Sequence, residues 1–70
     1  MPDVLAEMVA NVWRVLVGPG DTVSEGDALV ILESMKMEIP VETPVSGTVR
    51  EVRVAEGGVV QEGDVIAVVE

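Results

Sequence analysis

Apolar and polar positions alternate in short runs along this chain, and the runs come twice. Val15 and Val17 alternate with their neighbours as a half-buried strand does. Val12 falls out of that phase, which predicts a bulge near Arg14. Ala28 to Leu32 is continuously apolar, a length that suits a strand in a sandwich core better than a helix. No segment shows a helical period bounded by caps.

Sliding the sequence by 37 positions superimposes the two halves without a gap. Asn11-Val12-Trp13-Arg14-Val15-Leu16-Val17 lies over Thr48-Val49-Arg50-Glu51-Val52-Arg53-Val54. Gly20 to Asp27 lies over Gly57 to Asp64, and Ala28 to Glu33 over Val65 to Glu70. Nine of the 24 positions aligned from residue 10 to 33 are identical, and the run Ala28 to Leu32 exchanges one aliphatic for another at all five positions. Each half reads as strand, turn, strand. The turn has the form Gly-x-x-Val-x-Glu-Gly-Asp, in which glycine supplies positive φ and aspartate bonds nearby backbone. Its lone valine, Val23 or Val60, is expected to turn inward and plug the end of the barrel. Two such halves predict an all-β fold: a flattened antiparallel β-barrel or sandwich of about eight short strands with pseudo-twofold symmetry. The whole chain, 1–70, reads as one domain of two half-repeats, 1–33 and 38–70.

Four residues are left between the halves: Ser34, Met35, Lys36 and Met37. That is the length of a β-turn, with Met35 and Lys36 at its centre. Tight hairpins prefer Asn-Gly or Asp-Gly there, so the choice breaks a local rule at a conspicuous place. The joint is expected on the pseudo-twofold axis, with both chain termini at the opposite end. Lys36 is the only lysine of the chain. On position alone it is a solvated turn residue.

Composition narrows the chemistry. There is no cysteine and no histidine, which removes disulfides, thiolate metal sites and the commonest general base. Trp13 is the only aromatic residue, and 17 valines stand in for the rest. Thirteen acidic residues face four basic ones, for a net charge of −9. That balance argues against nucleic acid and anionic membranes, and suits steering towards a basic groove on a partner protein. No apolar stretch approaches the roughly 18 residues of a membrane span, and the N-terminus lacks the marks of a signal peptide. A cytoplasmic protein, monomeric by itself, is expected. A domain of this size buries only about 60% of its unfolded surface, so interlocked halves help a thin core hold together.

Glu33-Ser34-Met35-Lys36-Met37-Glu38 resembles the attachment motif of biotin carboxyl-carrier domains, whose hallmark is Met-Lys-Met, most often after Ala or Ser. The resemblance extends over nearly the whole chain. It takes in Gly20-Asp21, Gly26-Asp27, Gly63-Asp64 and Pro44-Val45-Ser46-Gly47-Thr48-Val49. It implies that the ε-amine of Lys36 forms an amide with biotin. Met35 and Met37 match the flanking methionines that biotin ligase and carboxylase partners recognise, with Ser34, Glu33 and Glu38 beside them. It implies that a biotin carboxylase loads the cofactor's ureido nitrogen from bicarbonate and ATP. A carboxyltransferase then passes the carboxyl group to an acyl-CoA or keto-acid acceptor, an acyl-CoA carboxylase being the expectation. The chain itself is expected to be a carrier, not an enzyme.

Three departures stand out: Val9-Ala10 where relatives often have Pro-Gly, Gly58 where aspartate is common, and Ile39-Pro40 after the motif. No insertion forms a protruding thumb, so the chain resembles small free-standing biotin/lipoyl attachment proteins of bacteria. Lipoyl domains use the same hairpin lysine but usually carry Asp before it and Ala after it, so the methionines favour biotin. An orphan biotinylated protein and an unmodified interaction module are the remaining readings.

Overall fold

Eight short strands and no helix occupy residues 3–70, which the computed structural model describes. They are β1 (Asp3–Leu5), β2 (Ala10–Val15), β3 (Thr22–Val23), β4 (Ala28–Ser34), β5 (Met37–Glu42), β6 (Gly47–Val52), β7 (Val59–Val60) and β8 (Val65–Val69). They form two four-stranded antiparallel sheets, ordered β1-β8-β6-β3 and β5-β4-β2-β7.

The 37-residue offset governs this architecture. Adding 37 to the bounds of β2 gives β6, and adding it to β3 gives β7. The same shift turns the pairing Ile31↔Pro40 into Val68↔Asp3, and Val30↔Val41 into Ala67↔Val4. Backbone bonds across the barrel come in related pairs too. Gly26 N–H donates to Thr43 C=O at 2.8 Å, and Gly63 N–H to Ala6 C=O at 2.9 Å. Val12 N–H donates to Gly58 C=O and Val49 N–H to Asp21 C=O, both at 2.8 Å.

Each half carries bulges at the same places. The register of β2 against β4 skips Trp13, as expected from the phase break, and that of β6 against β8 skips Arg50. A second pair skips Leu29 in β4 and Ile66 in β8. An extra residue lets two neighbours in sequence face the same side. That is how Leu29 and Val30 are both fully buried, and how Ile66 and Ala67 both reach the interior.

The core is aliphatic: Leu29, Val30, Leu32, Val49, Val60, Ile66 and Val69 are its largest fully buried apolar side chains. Each contributes about 1.5–3 kcal/mol relative to exposure. Val23 and Val60 are buried, so the matching valine of each turn does turn inward, while Val59 beside Val60 stays exposed. Thr43 is buried as well; its hydroxyl donates to Val45 C=O at 2.7 Å, so its burial leaves nothing unpaired.

One expectation is corrected. The pseudo-twofold exchanges the β4–β5 pair with the β8–β1 pair, in which the two chain ends take the place of the turn. A hairpin exchanged with another element cannot lie on the axis. The joint therefore caps one end of the barrel, off the axis, and the Asp3↔Val68 pair lies at the other.

Candidate functional site

Six ladder pairs join β4 to β5, ending in Leu32↔Ile39, Glu33↔Glu38 and Ser34↔Met37. Two residues remain to reverse the chain. A two-residue loop fits the right-handed twist of its strands best as a type I′ turn, which needs positive φ at both centres. Met35 has φ 53° and Lys36 φ 65°, the two positive-φ residues other than glycine among the described residues. For long side chains this conformation costs about 1 kcal/mol each. The ladder below supports that cost, and the turn aims both side chains away from the barrel.

The hairpin therefore brings together the residues singled out in the sequence. Met35 is 89% exposed and Met37 59%. Lys36 is exposed, and among the described residues it has neither a hydrogen bond nor an ion pair. Ser34 is half-buried and pairs with Met37 on the face of Leu32 and Ile39. Glu33 and Glu38 lie directly opposite each other on the other face, both exposed. Like charges so placed are mildly destabilising. Two turn residues in costly conformations and one opposed acidic pair thus fall within six consecutive residues.

This arrangement suits covalent carriage. A primary amine with no internal partner stands at the apex of a rigid hairpin, reachable from several directions. The neighbouring methionines offer a soft, adaptable apolar surface to whatever approaches it. The site fits a group bound through an amide to Lys36.

The sequence reading missed a groove of about 720 Å³ along the seam between β1 and β5, the free edges of the two sheets. The apolar residues Leu5, Met8, Leu32 and Ile39 line it together with the acidic Asp3, Glu7, Glu42 and Glu62. No local pattern signals it, because its walls come from opposite halves of the repeat. Trp13 is a second surface feature: the Arg14 guanidinium stacks over its ring at 4.7 Å.

Residues 1–69 match the biotin–lipoyl family, described as "Biotin-requiring enzyme". The biotinylated protein TB7.3 homolog of Mycobacterium leprae is 57% identical over 67 residues, covering 96% of this chain and 94% of that one. The fold overlays on part of the Kluyveromyces lactis urea carboxylase with a TM-score of 0.92 at 32% identity, covering 99% of this chain and 6% of that one. It also overlays on part of a single-chain, multi-domain long-chain acyl-CoA carboxylase, with a TM-score of 0.87 at 30% identity over 94% of this chain and 7% of that one.

Proposed function

The chain belongs to the biotin–lipoyl attachment family, and from that premise we propose that it is a biotin carboxyl carrier modified on Lys36. The observation that carries this reading is the turn itself: an exposed, unpartnered lysine held at the apex of a hairpin by two residues at positive φ.

The Lys36 amine gives up its proton and attacks the acyl carbon of a biotinyl adenylate made by biotin ligase. The new N–C bond forms as the C–O bond to AMP breaks. Lys36 then loses its charge, and the chain moves from −9 to −10. Met35, Met37 and Ser34, with Glu33 and Glu38 behind them, form the surface that the ligase and the carboxylase subunits read. Bound biotin supplies a ureido nitrogen able to carry a carboxyl group between active sites. The chain contributes presentation: the barrel keeps the hairpin ordered while the whole monomer moves between biotin carboxylase and carboxyltransferase. Similarity to a domain of an acyl-CoA carboxylase supports an enzyme of that class as the partner. We place the protein in the cytoplasm and assign it no catalysis of its own.

The test is intact-mass measurement after expression with the cognate ligase, with Lys36→Arg alongside. One biotinyl adduct, absent from the variant, is the expected result. A lipoyl adduct would transfer the assignment to lipoyl attachment, and an unmodified chain would refute both.

A further inference from the structure

We propose that the groove between β1 and β5 is a resting site for the biotinyl group carried by Lys36. The inference rests on the reading of Lys36 as biotinylated, and adds a binding site on the chain's own surface.

Reach comes first. Leu32 and Ile39 line the groove and pair with each other in the same hairpin that carries Lys36. They lie two residues below the Ser34↔Met37 pair, a drop of about 7 Å. The lysine side chain and the valeryl chain each contribute four methylenes. A tether of that length turns back over Met37 and enters the groove with room to spare. The opposite wall is close as well. Asn11 pairs with Glu33, which places the Glu7–Met8 segment just before it at the hairpin end of the barrel. Gly63 N–H donates to Ala6 C=O at 2.9 Å and draws the Gln61–Asp64 turn, with Glu62, against that segment.

Chemistry comes second. Biotin's ring system has an apolar thioether side and a ureido edge with two N–H donors. The groove offers an apolar lining of Leu5, Met8, Leu32 and Ile39 and carboxylate acceptors at Glu7 and Glu62. Leu5 is 47% exposed, so covering it removes apolar surface from water. The acidic residues of the lining favour a neutral group bearing N–H donors over an anionic one. A dithiolane ring lacks such donors, so a lipoyl arm gains only the apolar half of the site.

Methyl and amide NMR spectra of the unmodified and biotinylated protein test this, with modification verified by mass. The expected result is a set of shifts at Leu5, Met8 and Ile39, with nuclear Overhauser contacts from the biotin rings to their methyl groups. Leu5→Arg, at a position already 47% exposed, is expected to keep the biotinyl adduct and lose most of those shifts. Glu7→Gln with Glu62→Gln keeps the apolar contacts and weakens the shifts without abolishing them. An adduct whose shifts stay within residues 33–38 overturns the resting site and leaves the carrier assignment standing. A chain that takes up no biotin overturns both.

Discussion

Two turns of this molecule reverse the chain by opposite means. At Ser24-Glu25-Gly26-Asp27 the local rules are all met. Gly26 takes the positive φ of 91°, and the Asp27 carboxylate accepts from Ser24 N–H at 2.8 Å. Glu25 N–H donates to Ser46 Oγ at 2.9 Å, and Gly26 N–H to Thr43 C=O at 2.8 Å. The related turn repeats the pattern, with Gly63 at φ 90° and Gln61 N–H on Asp64 Oδ2 at 2.8 Å. At Met35-Lys36 no glycine takes the positive φ and no side chain holds the backbone. The first kind of turn is composed for folding. The second leaves folding to the ladder beneath it and leaves its side chains exposed. The contrast separates a turn held by its own residues from one held by the strands beneath it.

The largest effect expected from breaking this contrast is on modification. Lys36→Arg should abolish the biotinyl adduct completely while leaving stability within about 0.5 kcal/mol, since an exposed, unpartnered side chain is exchanged. Mass spectrometry and a thermal melt read the two halves of that statement. A large loss of stability would show that the lysine serves the fold.

Gly26→Ala should do the reverse. Nothing lies within 4 Å of the added Cβ, but its φ of 91° is strained for any L side chain. A cost of about 1–2 kcal/mol follows. In a domain this small that lowers the melting temperature by roughly 4–8 °C per kcal/mol. Biotinylation of the folded fraction should be unchanged.

Rebuilding the hairpin as a structural turn comes next. Met35→Asn with Lys36→Gly installs the pair that a type I′ turn prefers. It should add about 1 kcal/mol to stability, seen as a higher denaturant midpoint, and remove the proposed attachment point. No gain in stability would mean that the methionine and lysine are already at ease in the turn.

Much of this was legible in the sequence because the repeat is gapless. The offset of 37 located β2 against β6 and β3 against β7, and the phase break at Val12 announced the bulge at Trp13. The hairpin stood out as the residue left over. Other features were not legible. Asp3-Val4-Leu5 and Pro40-Val41-Glu42 share only their valine, so the kinship of β1 with β5 shows in the pairing and not in the letters. The bulges at Leu29 and Ile66 sit inside continuous apolar runs, which carry no phase to break. The seam groove joins residues from both halves, and no local pattern reports a long-range juxtaposition. The hairpin's place off the axis follows only once β8–β1 is recognised as its counterpart.

The smallest effect lies where the two halves disagree. In the first half Asp21 Oδ2 accepts from Gly18 N–H at 2.8 Å, and Asp21 N–H donates to Gly18 C=O at 3.1 Å. In the second half Gly58 keeps the backbone bond, to Ala55 C=O at 3.0 Å, but has no carboxylate to offer. Gly58→Asp should complete the match by capping Ala55 N–H as Asp21 caps Gly18. Its φ lies outside the left-handed region, so an L residue is compatible. The new Cβ comes within 3.1 Å of the Ala55 carbonyl oxygen, a contact that takes back part of the gain. Stiffening the unfolded chain alone is worth about 0.4–1 kcal/mol, so a net stabilisation of about 0.5 kcal/mol is expected. That is a rise of roughly 2–4 °C in a thermal melt followed by circular dichroism. A fall instead would mean that the two turns share a backbone path but not the room for a side chain, and that the pseudo-twofold ends at the peptide groups.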